Sequence, residues 1–165
     1  TRSDRDWSSD VCSSDLRLVD GPDPKDVRRG RSGAVNVMPS TTGAAKATTL
    51  VIPELKDKFD GISVRVPVIC GSLTDIVAVL KKNVTVEEVN KAFEQAAKTS
   101  LFKGILRTTY KDEELCSTDI IGTSHSSIID TKYTRVVGGN LVKVMAWYDN
   151  EWGYSCRLVE MAMAN

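Results

Sequence analysis

Two strand-like segments follow one another between residues 61 and 82 with almost no chain between them. In GISVRVPVIC, Ile62, Val64, Val66 and Val68 alternate with polar residues or proline, and SLTDIVAVLKK repeats a pattern rich in β-branched residues. Alternation with a period of two predicts a strand with one buried face, here the valine face. Across the chain the predicted strands are joined by short connections, which favour antiparallel neighbours because a parallel pair needs a long crossover.

Further strands outnumber the helices. Thr85 and Glu88 form a capping box for a helix in TVEEVNKAFEQAAKT, whose apolar stripe is Val86, Val89, Phe93 and Ala96. Two other helices are predicted, from about Thr42 to Val51 and within NEWGYSCRLVEMAMA, and four other strands, in GILRTTY, SSIID, YTRVV and LVKVMAW. The predicted fold class is α+β, a mostly antiparallel mixed sheet with helices on one face.

The composition makes several classes of function weak alternatives. The 165 residues allow one domain of ordinary size, and Lys+Arg and Asp+Glu both total 22. A nucleic-acid or membrane-surface binder usually carries a basic excess, so neither partner is expected. No apolar run approaches the length of a membrane span, and the chain shows no signal peptide. We therefore expect a cytoplasmic protein.

The four cysteines, Cys12, Cys70, Cys116 and Cys156, lie far apart, and His125 is the single histidine. A zinc site needs clustered ligands, so no metal site is predicted. Scattered, mostly buried thiols are the better interpretation. A catalytic cysteine needs a neighbouring base or a helix N-terminus, and none of the four meets this condition well.

Residues 1–16 differ from the rest of the chain. DWSSDVCSSDL, residues 6–16, lacks periodicity and has almost no aliphatic side chains, which is typical of disorder. It also resembles the translation of a common sequencing-library adapter. We expect residues 1–16 to be a non-native, disordered leader, and residues 17–165 to form the protein proper.

Four places in the chain could bind a ligand, and each has a plainer explanation. STTGAAK could hold an anion at a helix start through Thr42 and backbone N–H groups, or Ser40 or Thr41 could simply cap that helix. Arg65 could grip a phosphate or remain a solvated surface arginine. RRGR, residues 28–31, could contact phosphate or belong to a solvated loop. In WYDNEWGYS, Asp149 or Asn150 could cap a helix, or Asn150 could bind a ligand.

Taken together and in this order, PSTTGAAKA, SVRVP, KGIL and VKVMAWYDNEWGYS are far more specific. From about Arg17 to Asn165 the chain closely resembles the C-terminal half of phosphorylating glyceraldehyde-3-phosphate dehydrogenases. The resemblance implies an α+β catalytic domain with an eight-stranded mixed sheet. It also implies a glycolytic homotetramer that oxidises glyceraldehyde 3-phosphate to 1,3-bisphosphoglycerate with NAD and inorganic phosphate.

The resemblance also implies roles for particular residues. Thr42 and Gly43 match the site for inorganic phosphate, and Arg65 matches an arginine that grips substrate phosphate. Asn150 matches the residue that binds the nicotinamide carboxamide, with Tyr154 packing beside it. The segment from Pro22 to Ser32 resembles a loop near the cofactor site of an adjoining subunit. His125 has no catalytic counterpart in the family.

The departures from the family limit what these residues can do alone. No cysteine lies in the family's Ser-Cys-Thr-Thr-Asn setting, the His-Ala-Tyr-Thr segment of its catalytic base is absent, and so is the Gly-rich dinucleotide-binding half. We therefore assign no catalytic residue and expect the isolated chain to be inactive. An erythrose-4-phosphate dehydrogenase and a non-catalytic assembly module remain as alternatives, although WYDNEWGYS favours the glyceraldehyde-3-phosphate enzyme.

Overall fold

A computed structural model describes residues 17–24 and 26–164, so the leader predicted over residues 1–16 lies outside the described residues. The chain divides into two compact units, and the boundary falls between Ile69 and Cys70. The strands are β1 (Met38–Ser40), β2 (Ser63–Arg65), β3 (Ser72–Val79), β4 (Leu106–Thr108), β5 (Ser127–Ile129), β6 (Arg135–Val137) and β7 (Leu141–Tyr148). The helices are α1 (Ala44–Val51), α2 (Val86–Ala97) and α3 (Trp152–Met163).

In the first unit, β1 and β2 form an antiparallel two-stranded sheet. Helix α1 follows β1 and begins at Ala44, two residues later than predicted. The predicted burial of the valine face is wrong, because Ile62, Val64, Val66 and Val68 are all exposed. Alternation showed that one face is apolar, but β2 has only three residues, and a two-stranded ribbon does not bury a face of its own.

In the second unit, β7 is the central strand of a five-stranded sheet. Strand β3 pairs antiparallel with its whole length, from Ser72 opposite Tyr148 to Val79 opposite Leu141. Strands β5 and β6 pair with β7 antiparallel, and β4 pairs with β5 in parallel. The α+β class with a mostly antiparallel mixed sheet is therefore confirmed. The described residues hold seven strands in two sheets, whereas the resemblance implies one sheet of eight.

Helix α2 covers one face of this sheet and completes the main core. Thr85 begins the helix with the predicted capping box: its hydroxyl accepts from the N–H of Glu88, and its own N–H donates to the Glu88 carboxylate. Val89 and Phe93 of the predicted stripe pack against a buried cluster of sheet residues. That cluster consists of Ile129, Val142, Val144 and Ala146.

The opposite face of the sheet is open towards β3 and β6. Residues directly opposite each other in a ladder share a face, so Val77, Val79 and Leu141 lie on the side away from the buried cluster, together with Val137. All four are exposed. Lys143 and Asp75 form an ion pair of 2.8 Å on this same face. The unit therefore presents an apolar surface that contains one ion pair with no net charge.

Candidate functional site

The start of α1 is built from hydroxyl side chains and a glycine. The N-cap residue of α1 is Gly43, and not Ser40 or Thr41. The Thr42 hydroxyl, one residue earlier, accepts a hydrogen bond of 3.1 Å from the N–H of Ala44. The Ser40 hydroxyl is buried at the end of β1 and has no hydrogen-bond partner within the described residues. A Cβ added to Gly43 would meet open space, and its φ of −81° suits any residue. Neither backbone strain nor crowding therefore requires a glycine at this position.

Arg65 lies at the end of β2, directly opposite Met38. Because opposed residues share a face, Arg65 lies on the same side of the ribbon as the buried Met38 and the half-buried Ser40 and Ser63. The exposed Val64 lies on the other side. The prediction that the valine face is the buried one is therefore the reverse of the observed arrangement. The face that carries Arg65 is the covered one, and Arg65 is itself half-buried.

In the second unit, Asp149 organises the junction between β7 and α3. One carboxylate oxygen accepts 2.8 Å hydrogen bonds from the N–H groups of Glu151 and Trp152, and the other accepts one of 2.8 Å from Gly122. Burial would raise the pKa of this carboxyl, but the backbone donors together lower it below the ordinary value of 3.8. Asp149 is therefore a buried carboxylate that caps α3.

Asn150 is not the cap of α3. Its Oδ1 accepts a hydrogen bond of 3.0 Å from the N–H of Gly71 and one of 3.2 Å from the Ser72 hydroxyl, and the Cys70 Sγ lies 3.8 Å away. Of the two residues in WYDNEWGYS that could bind the start of α3, Asp149 is therefore the one that does so. Sequence reasoning missed Gly71 and Ser72, for which the only signal is an isolated glycine just before a strand.

The predicted site residues fall into two sets. Thr42, Gly43 and Arg65 lie in the first unit, whereas Asn150 and Tyr154 lie in the second. Tyr154 is in the first turn of α3, and 45% of it is exposed. The ligand-binding roles of both sets stay predictions.

The three described cysteines differ in their burial. Cys70 and Cys156 are half-buried, but Cys116 is exposed, so the prediction of mostly buried thiols is wrong for that residue. Burial and then the neighbouring Asp149 carboxylate raise the pKa of Cys70. A raised pKa disfavours the thiolate, which is the nucleophilic form.

His125 lies near two cationic side chains. Burial, followed by the charges of Arg107 and Arg157, lowers its pKa below the ordinary value of 6.5. Its Nδ1 is 3.4 Å from the Thr123 hydroxyl. These surroundings agree with a structural histidine.

The loop that contains RRGR closes on itself. The N–H of Gly21 donates to the carbonyl of Gly30 at 2.8 Å, and a Cβ at Gly30 would lie 2.3 Å from the carbonyl oxygen of Gly21. Asp20 accepts from the N–H of Ser32 at 2.8 Å and pairs with Arg31 at 3.3 Å. The basic run is therefore part of a specific loop conformation that needs glycine at position 30.

Residues 17–24 and 26–164 hold neither a metal-binding cluster nor a membrane-spanning helix. They contain no group of three or more His, Cys, Asp or Glu residues that could hold a metal ion. None of their helices is long and apolar enough to cross a membrane.

Comparison with known proteins identifies the family. A family model described as "Glyceraldehyde 3-phosphate dehydrogenase, C-terminal domain" matches residues 11–150. The chain is 50% identical over 151 residues to a glyceraldehyde-3-phosphate dehydrogenase of Streptomyces coelicolor, covering 92% of this chain and 44% of that protein. It is 52% identical over 149 residues to glyceraldehyde-3-phosphate dehydrogenase 2 of Bacillus subtilis, covering 90% of this chain and 43% of that protein.

The mixed sheet and the matching model together define the C-terminal domain of a dehydrogenase. The chain belongs to the glyceraldehyde 3-phosphate dehydrogenase family. It spans less than half the length of the curated relatives it matches.

Proposed function

We propose that residues 17–165 are part of the catalytic domain of a phosphorylating, NAD-dependent glyceraldehyde-3-phosphate dehydrogenase. The parent enzyme would be a cytoplasmic enzyme of glycolysis, and residues 1–16 would not belong to it. In its reaction the aldehyde is oxidised by hydride transfer to NAD, and inorganic phosphate takes up the acyl group as 1,3-bisphosphoglycerate. The observation that carries the proposal is the β7–α3 junction, where Asp149 caps α3 and Asn150 is held by Gly71 and Ser72.

The phosphate-binding role of the first unit is supported by the start of α1. A helix N-terminus favours an anion through its backbone N–H groups and its dipole. Thr42 adds a hydroxyl there, and the open space at Gly43 would let an anion approach the backbone. The buried, unpartnered Ser40 hydroxyl marks unused hydrogen-bonding capacity just before these residues. Arg65 would supply the guanidinium that binds the substrate phosphate.

The cofactor role of the second unit is supported by the orientation of Asn150. Because its Oδ1 accepts from Gly71 and Ser72, its amide nitrogen is the end that can donate to a ligand carbonyl. The carboxamide oxygen of nicotinamide is such an acceptor. Tyr154, partly exposed in the following turn, would pack beside it. NAD would supply the hydride acceptor, and these residues would orient its nicotinamide ring.

We propose that the nucleophile and the general base lie outside these 165 residues. The raised pKa of Cys70 and the cationic surroundings of His125 support this assignment. The homotetramer proposed for the parent enzyme is supported by the open sheet face around Val77, Val79, Val137 and Leu141, since exposed apolar patches mark interaction surfaces.

The test uses a chain completed with the N-terminal half of a relative, such as the Bacillus subtilis enzyme. We expect Arg65→Ala to lower kcat/KM for glyceraldehyde 3-phosphate by about thirty- to a thousandfold, because it removes a charge-assisted contact with phosphate. Glyceraldehyde without its phosphate should lose much less. Arg65→Lys should recover only part of the activity, since an ammonium cannot reproduce the planar fork.

Arg135→Ala is the matched control, because it removes another strand arginine that is exposed and bonds to backbone carbonyls of Lys132 and Thr134. It should leave kcat/KM nearly unchanged. If Arg65→Ala folds and leaves kcat/KM nearly unchanged for each of the two aldehydes, the phosphate assignment is overturned. Comparing glyceraldehyde 3-phosphate with erythrose 4-phosphate in the unsubstituted chain decides which aldehyde is the substrate.

A further inference from the structure

The orientation of Asn150 depends on the segment that leads into β3. The N–H of Gly71 can only donate a hydrogen bond, so the Asn150 atom that it meets at 3.0 Å must be the acceptor Oδ1. The Ser72 hydroxyl reaches the same oxygen at 3.2 Å. These two short contacts, with the longer one of 3.8 Å from the Cys70 thiol, fix both the rotation of the side chain and which end of the carboxamide is the oxygen.

Both donors are themselves held rigidly. Gly71 has a φ of +91°, a region that favours glycine, and a Cβ at this position would lie 2.4 Å from the carbonyl oxygen of Ser117. Ser72 is the first residue of β3 and lies opposite Tyr148 in the ladder with β7. The pairing of the two strands therefore brings the Ser72 hydroxyl to the residue that follows β7 by two positions.

We propose that Ser72, together with the N–H of Gly71, is a positioning residue that presents the Asn150 amide to the cofactor. This inference rests on the proposed function, in which Asn150 contacts the nicotinamide carboxamide. Without the Ser72 hydroxyl, the Asn150 oxygen loses one of its donors while the Gly71 N–H and the longer Cys70 thiol contact remain, so its carboxamide is less firmly oriented. Each misoriented state presents an oxygen or a displaced nitrogen to the ligand carbonyl, which weakens cofactor binding without changing any residue that touches the cofactor.

The experiment is a double-mutant cycle in the chain completed with the N-terminal half of a relative, with the Kd for NADH as the readout. Ser72→Ala should weaken NADH binding by about three- to tenfold, the effect of one polar hydrogen bond. The KM for the aldehyde should stay within about twofold, because the phosphate-binding residues lie in the first unit. In an Asn150→Ala background, Ser72→Ala should change the Kd by less than about twofold, because the group it positions is gone.

Two further variants separate positioning from general stability. Ser72→Thr keeps the hydroxyl and should restore most of the NADH affinity. Thr74→Val removes an exposed hydroxyl from the same strand and should leave the Kd unchanged. A merely structural role for Ser72 would lower the denaturant midpoint and leave the Kd of the folded enzyme unaltered.

The outcomes distinguish this inference from the proposal on which it rests. If Asn150→Ala weakens NADH binding but Ser72→Ala does not, or if the two effects simply add, positioning by Ser72 is overturned and the cofactor role of Asn150 stands. If Asn150→Ala itself leaves the Kd unchanged, the cofactor assignment fails, and the positioning role fails with it.

Discussion

Asp149 joins three segments of the second unit through a single carboxylate. It binds the first N–H groups of α3 and the N–H of Gly122, and it is 3% exposed. A buried carboxylate with three backbone donors is stabilised in its charged form, in agreement with its lowered pKa. Asp149, the residue before Asn150, thus fixes the start of the helix that carries Tyr154.

We expect Asp149→Asn to lower the free energy of unfolding by about 2–3 kcal/mol, because an amide group cannot accept hydrogen bonds at both of its ends. The depressed pKa also sets the pH range. Stability contributed by Asp149 is fully present above its ordinary pKa of 3.8 and is lost as the pH falls below that value through the folded pKa. The variant should therefore lose less stability than the parent chain over this acidic range.

Urea unfolding at a series of pH values measures both effects. Asp119→Asn is the matched control, because Asp119 is exposed and accepts one backbone hydrogen bond, from Cys116. Its effect should stay below about 1 kcal/mol. An equal loss in the two variants would show that the three-donor arrangement at Asp149 adds nothing.

At the scale of single residues, the sequence identified Asn150 but not the groups that hold it. The motif WYDNEWGYS placed Asp149 and Asn150 between a strand and a helix, and local rules for caps allowed either residue to be the cap. Choosing between them required Gly71 and Ser72, which lie about 80 positions earlier. Such a contact is created by the pairing of β3 with β7, and no local pattern reveals it.

At the scale of elements, α2 shows the local rules at their most reliable. Its capping box lies entirely within four consecutive residues, so the sequence alone was sufficient to predict it. Thr85→Ala removes the hydroxyl that accepts from the Glu88 N–H. We expect a loss of about 1 kcal/mol in the free energy of unfolding.

The midpoint of thermal or urea unfolding measures this change. Glu94→Ala, on the exposed middle of the same helix, is the control and should stay within about 0.5 kcal/mol of the parent. A midpoint for Thr85→Ala as high as that of the control would show that the start of α2 does not depend on its cap.

Strand β2 shows where the same reasoning fails. The alternation of Ile62, Val64, Val66 and Val68 predicted a buried face, yet these side chains are exposed. Periodicity reports which side chains share a face, and burial depends on what packs against that face. Similarly, β3 was predicted as a strand, and its position at the edge of the sheet, with most of its residues exposed, could not be read from its sequence.

At the scale of the whole molecule, the proposed binding residues and the proposed nucleophile lie in different parts of the parent enzyme. The 165 residues carry the proposed phosphate and cofactor contacts but no assigned nucleophile. We expect the purified chain to form no NADH from glyceraldehyde 3-phosphate, NAD and phosphate, because the nucleophile and the general base proposed for the reaction lie outside these residues. Joining it to the N-terminal half of a relative should restore NADH formation, measured by absorbance. Phosphate-dependent NADH formation by the 165 residues alone would contradict this prediction.

The central position of β7 has a consequence for biosynthesis. Strands β3, β5 and β6 all pair with β7, yet each of them is made before it, and β3 precedes it by more than sixty residues. While the chain grows from its N-terminus, these strands therefore leave the ribosome with unpaired edges and an apolar face that lacks its partner. Pairing between distant segments is slow and exposes aggregation-prone edges. Nascent chains arrested before Leu141 should accordingly be protease-sensitive clients of chaperones, whereas those released after Tyr148 can close the sheet in one cooperative step.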